Sequence, residues 1–156
     1  MDAGASLSQT DGDRGNITVQ RAPLKSFNVD ASNCPDLFPI ISLLAAFCEG
    51  TSCLAGVGRL ANKESDRAMA IIEMLTQMGV KAHIEGDEMV IEGHTLVQRL
   101  LNGNALKGGA YTSHHDHRMV MALMVASLGA DSPITIDDEE CVAKSFPQFH
   151  EIFEKL

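Results

Sequence analysis

The hydrophobic pattern of the chain contains two long apolar stretches separated by shorter alternating runs. Residues 37–48 and 119–128 are apolar on nearly every side, which predicts two helices that are buried all round. An amphipathic pattern predicts a further helix over residues 63–78, ended by Gly79, and Pro147 begins a last helix. Alternating or β-rich runs predict strands at 16–20, 27–31, 52–57, 81–85, 89–92 and 134–137. Residues 96–109 show only a weak pattern.

These elements recur when the chain is shifted by about 80 residues along itself. Asp36 and Asp116 each precede an apolar helix, and Lys63 and Lys144 each precede the helix that follows. The pattern predicts an α/β fold of repeated β-α-β-α-β-β units packed side by side around the buried helices. We divide the single partial domain, residues 1–156, into the end of a preceding unit (1–22), a complete unit (23–95) and an incomplete last unit (96–156). The first residues look like the end of a helix, as though the chain were cut from a longer one.

Composition narrows the possible partners. The chain has 12 basic and 21 acidic residues, a net charge of −9, which argues against nucleic acid and anionic membranes as partners. Both apolar stretches are shorter than the roughly 20 residues that a membrane-spanning helix needs. The four cysteines form no C-x-x-C pair and lie in or beside apolar runs, which predicts reduced, buried thiols in a cytoplasmic protein. The expected partners therefore include no nucleic acid and no membrane.

Charges of both signs are concentrated in residues 62–67, NKESDR. A helix starting at Lys63 would place Lys63 and Arg67 on one face, with Glu64 about 100° away. This pattern has two interpretations, a solvated helix turn with local ion pairs or a site for an anion. The starts of the two apolar helices, where Asp36 and Arg118 lie, favour phosphate or carboxylate because of their free N–H groups and the helix dipole, and the repeat predicts that equivalent helix starts converge in space.

Other chemistries find little support. The neighbouring His114, His115 and His117 would diverge at a helix start, so no metal site is predicted. The sequence has no G-x-x-x-x-G-K-[ST], G-x-G-x-x-G or G-x-S-x-G motif, so phosphate binding by a P-loop, dinucleotide binding and serine hydrolysis are not expected. We predict no cofactor. Asp36 and Asp116 are also interpreted as helix caps, a role compatible with catalysis.

Five segments together resemble a known family. CPDLFP (34–39), EGTSCLAGVGRL (49–60), NKESDR (62–67), SHHDHRMVMAL (113–123) and CVAKSFPQF (141–149) resemble the C-terminal part of 5-enolpyruvylshikimate-3-phosphate synthase. The resemblance runs from Val29 to the last residue, and it implies an inside-out α/β barrel of the enolpyruvyl transferase type, of which this chain is about two-fifths. It implies transfer of the enolpyruvyl group of phosphoenolpyruvate to the 5-hydroxyl of shikimate 3-phosphate, with release of phosphate, in aromatic amino-acid biosynthesis.

The same resemblance implies roles for seven residues. Asp36 would contact the hydroxyls of the sugar ring and act as base, Glu64 would be the acid, and Lys63 would help to bind the shikimate part. Arg67 and Arg118 would bind the carboxylate of phosphoenolpyruvate. Lys144 would bind phosphate and move protons, and His117 would line the site.

The resemblance also implies that the chain holds only the phosphoenolpyruvate side of a cleft whose other side is an N-terminal domain. We therefore expect the 156 residues alone to be inactive. A related transferase acting on a UDP-linked amino sugar should lack the KESDR and DHRM segments. The alternative from another class is a non-catalytic anion-binding or scaffold module derived from the same family.

Overall fold

A computed structural model describes residues 3–9, 17–20, 22–61 and 66–155 of the chain. The strands are β1 (Ser6–Gln9), β2 (Ile17–Gln20), β3 (Asn28–Asp30), β4 (Gly50–Ala55), β5 (Ala82–Glu85), β6 (Glu88–Gly93), β7 (Gly109–Tyr111) and β8 (Ile134–Ile136). The α-helices are α1 (Phe38–Ala46), α2 (Arg67–Gln77), α3 (Leu96–Leu101), α4 (His117–Ser127) and α5 (Phe149–Phe153). Three 3₁₀ helices occupy Pro35–Leu37, Val57–Leu60 and Glu139–Lys144.

The repeat predicted from the sequence is visible in the order of elements. β3, α1, β4, a 3₁₀ helix and α2 are followed about 80 residues later by β7, α4, β8, a 3₁₀ helix and α5. In both copies the strands flanking the apolar helix pair in parallel, with Asn28 opposite Cys53 in the first and Gly109 opposite Ile134 in the second. The first copy continues into the β5–β6 hairpin, which completes a four-stranded sheet in the order β3-β4-β6-β5. β1 and β2 form a separate antiparallel pair.

The core lies where the two apolar helices meet. α1 packs against α4 and against the inner face of β6, and α2 covers a further side of α1. Phe38, Leu43, Leu54, Ile71 and Met119 are among the fully buried side chains of this core. The starts of these helices lie at the same end of the molecule, since Arg118 at the start of α4 bonds to Asp36 just before α1 at 2.8 Å. The charged residues at those starts are therefore placed close together.

Several boundaries differ from the sequence prediction. α2 begins at Arg67 and not at Lys63, because Asp66 has non-helical backbone angles and its carboxylate accepts the N–H of Met69. β4 begins and ends two residues earlier than predicted. α3 was missed, although its capping box was readable as Thr-x-x-Gln: Thr95 and Gln98 each accept the other's backbone N–H. β7 was also missed.

The prediction that both apolar helices are buried all round is wrong for the residues described. Ile40 and Leu44 of α1 are 37% and 39% exposed, and Leu128, just after α4, is 67% exposed. Leu44, Phe47 and Val125 line an apolar groove of about 770 Å³ together with Leu96 and Val97 at the start of α3. One side of each helix therefore has no described residue covering it.

Cys48 and Cys141 are buried, whereas Cys34 and Cys53 are half-buried, which corrects the expectation that all four cysteines are buried. No helix within the described ranges is long and apolar enough to cross a membrane.

Candidate active site

The start of α4 is organised by one buried carboxylate. Asp116 is the N-cap, as the sequence predicted, and its Oδ1 accepts the backbone N–H of Arg118 at 2.9 Å. The side chain is fully buried, with 0% of its surface exposed. A buried carboxylate needs a cation or several hydrogen bonds, so Asp116 requires a further partner.

That partner is Arg67, the first residue of α2. Its Nε donates to Oδ2 of Asp116 at 2.7 Å, and its Nη1 donates to Oδ1 of Asp36 at 2.9 Å. Arg67 is itself 1% exposed, so its guanidinium is an internal group bonded to two carboxylates. The starts of α2 and α4 are joined by this ion pair.

Asp36 lies at the entrance to α1, in the 3₁₀ helix Pro35–Leu37. Its Oδ2 accepts from Nη2 of Arg118 at 2.8 Å, while Oδ1 accepts from Arg67. The expectation that Asp36 caps a helix is wrong, since the N-cap positions are Cys34 and Leu37 and neither helix start has a side-chain cap. The carboxylate of Asp36 is oriented towards the two guanidinium groups and is 50% exposed.

Asp36, Arg67, Asp116 and Arg118 therefore form one cluster, which we call the arginine–aspartate quartet. Its formal charges are two positive and two negative. The four residues come from three helix starts that are far apart in the sequence, and charge-assisted hydrogen bonds of 2.7–2.9 Å connect them. The members are unequal in exposure, because Arg67 and Asp116 are buried whereas Asp36 and Arg118 reach solvent.

His117 and Lys144 flank the quartet in different ways. His117 is buried, and its Nε2 lies 2.6 Å from Nη1 of Arg118. Lys144 is exposed at the end of the 3₁₀ helix Glu139–Lys144, and its Nζ donates to the backbone carbonyl of His115 at 3.4 Å. This contact connects Lys144 to the loop that precedes α4, and that loop leads directly into Asp116 of the quartet. Lys63 and Glu64, the other two residues predicted for the site, lie outside the described residues.

The loop before α4 has an unusual backbone. His114 and His115 have φ angles of 53° and 58°, in the left-handed region that side chains rarely adopt. His115 Nδ1 lies 2.6 Å from Oδ2 of Asp138, and the N–H of Ser113 donates to Oδ1 of Asp137 at 2.5 Å. The Ser113 N–H is the main cause of a lowered pKa of Asp137. The sequence alone does not indicate that Asp137 and Asp138 hold this loop, because that role depends on the parallel pairing of β7 and β8.

Asp116 as the ionic partner of Arg67 was also missed by sequence analysis, which interpreted it only as a cap. Within the described ranges, no group of three or more histidine, cysteine or acidic residues could hold a metal ion. The site consists of charged hydrogen-bonding groups.

The fold resembles solved enolpyruvyl transferases. An EPSP synthase from Acinetobacter baumannii superposes with a TM-score of 0.83 at 30% identity, covering 98% of this chain and 36% of that one. The enolpyruvyl transferase NikO from Streptomyces tendae gives a TM-score of 0.67 at 16% identity, which is evidence for the fold alone. These similarities confirm the predicted fold class, a partial domain of the enolpyruvyl transferase type.

Sequence comparison gives the family. A family model described as EPSP synthase (3-phosphoshikimate 1-carboxyvinyltransferase) matches residues 1–153. Curated proteins named 3-phosphoshikimate 1-carboxyvinyltransferase are 39% identical over 145 residues in Clostridium botulinum (strain Eklund 17B / Type B) and 42% identical over 154 residues in Brachyspira hyodysenteriae. They cover 92% and 98% of this chain. The chain belongs to the EPSP synthase family, and it spans 31% and 34% of the length of these two relatives.

Proposed function

We propose that the protein is part of the enzyme that transfers the enolpyruvyl group of phosphoenolpyruvate to the 5-hydroxyl of shikimate 3-phosphate. Family membership supports the reaction, and the observation that carries the proposal for this chain is the convergence of Arg67, Arg118 and Asp36 from three helix starts. A carboxylate already bonds to both guanidinium groups there, which is the chemistry that the carboxylate of phosphoenolpyruvate requires. The chain would supply the phosphoenolpyruvate side of the cleft.

The proposed reaction needs a base, an acid and cations. The ring hydroxyl loses its proton as its oxygen bonds to C2 of phosphoenolpyruvate, and the methylene carbon C3 gains a proton, which gives a tetrahedral intermediate. Loss of that added proton and breakage of the C2–O bond to phosphate then restore the double bond and release phosphate. Each step moves charge that fixed cations can stabilise.

We assign roles to five described residues. We assign Arg118 and Arg67 to the carboxylate of phosphoenolpyruvate and Lys144 to phosphate, where it also moves protons. Asp36 is the proposed base at the ring hydroxyl, since its carboxylate is half-exposed and lies beside Arg118. His117 lines the site and contacts Arg118 through its ring nitrogen.

Two further roles fall on residues that the structure does not describe. Glu64 is the proposed acid at the methylene carbon, and Lys63 is proposed to bind the shikimate part. Lys63 and Glu64 lie three and two residues before Asp66, which caps α2 and is followed by Arg67 of the quartet. Their sequence position is the support for these two assignments.

Completion of the site needs partners that we also propose. The rest of the domain would cover the apolar groove beside α1 and α4, and an N-terminal domain would supply the shikimate 3-phosphate side of the cleft. The relatives are about three times as long as this chain, which agrees with this arrangement. We propose a cytoplasmic location and no cofactor.

A complementation experiment tests the proposed function. The 156-residue chain alone should release no phosphate from phosphoenolpyruvate and shikimate 3-phosphate in a coupled assay. Mixing it with the complementary two-thirds of a family member should restore release, and Arg118→Leu should abolish the restored activity. Lys81→Leu is the matched control, because Lys81 is a cation whose side chain is 83% exposed and pairs only at the surface with Glu92. No activity after verified association would favour the non-catalytic anion-binding module.

A further inference from the structure

The two carboxylates of the arginine–aspartate quartet have different surroundings. Asp116 is 0% exposed, bonded through Oδ2 to Nε of Arg67 and through Oδ1 to the backbone of α4. Asp36 is 50% exposed, and both of its carboxylate oxygens accept from side chains, Oδ1 from Arg67 and Oδ2 from Arg118. Moving Asp116 would break a helix cap and leave a buried cation poorly paired. Moving Asp36 would break contacts that water can partly replace.

A ligand carboxylate would meet a neutralised pair of arginines. Arg67 is 1% exposed, and its Nη1 is bonded to Asp36, which also accepts from Arg118. Because Asp36 accepts from Nη1 of Arg67 and Nη2 of Arg118, a second carboxylate that accepts the same two N–H groups must take its place. Like-charged carboxylates side by side on the same donors repel each other, so the two cannot share the position.

We infer that the two aspartates have different roles. Asp116 positions the guanidinium of Arg67, whereas Asp36 occupies the place of the ligand carboxylate on Arg67 and Arg118 and is displaced when that carboxylate binds. This inference rests on the proposed function, since it takes phosphoenolpyruvate as the ligand. It also links two proposed roles. The oxygens of Asp36 become available to a ring hydroxyl when the ligand carboxylate takes over the arginines.

Exchange of Asp36 with the ligand carboxylate predicts that two isosteric substitutions change the affinity for phosphoenolpyruvate in opposite directions. Asp36→Asn removes the internal competitor, so the chain should bind phosphoenolpyruvate about threefold to tenfold more tightly than the parent. Asp116→Asn leaves Arg67 without its fixed anion, so binding should weaken by at least about tenfold. A purely structural role for both residues would weaken binding in both variants.

The probes are phosphoenolpyruvate, pyruvate and inorganic phosphate, titrated into the isotope-labelled 156-residue chain and followed through the backbone amides at the start of α4. The gain in Asp36→Asn should appear with phosphoenolpyruvate and pyruvate, which carry a carboxylate, and should be absent with phosphate. In the parent chain the side-chain carboxyl carbon of Asp36 should shift with the same midpoint as the amide of Arg118. This second measurement needs no variant, so it tests exchange even if Asp116→Asn does not fold.

The outcomes separate the two proposals. If the parent binds phosphoenolpyruvate in a manner that Arg118→Leu abolishes, but Asp36→Asn binds no more tightly and the Asp36 carboxyl does not shift, exchange is overturned and the proposed ligand stands. If neither the parent nor Asp36→Asn responds to phosphoenolpyruvate, the proposed ligand is overturned and exchange with it.

Discussion

The buried ion pair between Arg67 and Asp116 should make the stability of this chain sensitive to the loss of either partner alone. The Nε–Oδ2 distance is 2.7 Å, and the two side chains are 1% and 0% exposed. Arg67→Met keeps much of the apolar volume of the side chain and removes its charge, which leaves the Asp116 carboxylate buried without its cation. Breaking a buried pair from one side costs about 3–5 kcal/mol, so we expect a loss of that size in the free energy of unfolding.

The cost of Asp116→Asn should be smaller, about 2–3 kcal/mol, because Arg67 keeps its bond to Asp36 and asparagine can still cap α4. In the double variant both charges of the pair are gone, and the second substitution adds little. The double-mutant cycle should therefore show a coupling free energy of at least about 2 kcal/mol.

Urea unfolding followed by circular dichroism at neutral pH measures each corner of this cycle. Lys81 and Glu92 form the control pair, since their side chains are 83% and 53% exposed and their charged atoms lie 3.2 Å apart. Their coupling should be below about 1 kcal/mol and should fall further in high salt, whereas the Arg67–Asp116 coupling should persist. Additivity of Arg67→Met and Asp116→Asn within about 0.5 kcal/mol would refute the reasoning.

Two further predictions concern residues outside the site. Gly93→Ala should lower the free energy of unfolding by at least about 2 kcal/mol, because a Cβ there would clash with the carbonyl oxygen of Ala45. Gly86→Ala, with open space around the Cβ but a φ of 63°, should cost about 1 kcal/mol. Equal losses in thermal or urea unfolding would contradict this. Burial raises the pKa of the Cys48 thiol to about 11, so native Cys48 should resist alkylation at mildly alkaline pH while half-buried Cys53 reacts. In the unfolded chain the Cys48 thiol ionises near its ordinary pKa of 9.0, so the contribution of native Cys48 to stability should fall as pH rises from about 9 to 11. The contrary result would be that Cys48→Ala does not change how the free energy of unfolding depends on pH over that range.

The parts of the fold that sequence predicted well are those carried by local patterns. The apolar stretches became α1 and α4, and the alternating run around Gly86 became the β5–β6 hairpin. α3 was missed because six residues give too little periodicity, even though its Thr-x-x-Gln capping box was present. The prediction that α1 and α4 are fully buried was wrong. An apolar helix surface indicates that a covering element is needed, but on one side of each helix no described residue covers it.

For the candidate site, the sequence predicted which residue types gather at helix starts, and the structure places Asp36, Arg67, His117 and Arg118 together. The sequence did not predict that Arg67 is buried or that Asp116 is its ionic partner. Arg67 was expected to share a helix face with Lys63, but Asp66 caps α2 and makes Arg67 its first residue. Their ligand-binding roles remain proposals.

Apart from α3 and β7, the sequence by itself determined the order of elements, the repeat and the positions of the charged residues along it, because periodicity, capping and turn chemistry are properties of neighbouring residues. The tertiary structure alone decided how the charges pair. Arg67 bonds to carboxylates 31 and 49 residues away, and Arg118 to one 82 residues away. Two aspartates that look equivalent in the repeat thus differ physically, since tertiary packing buries Asp116 completely and leaves Asp36 half in solvent.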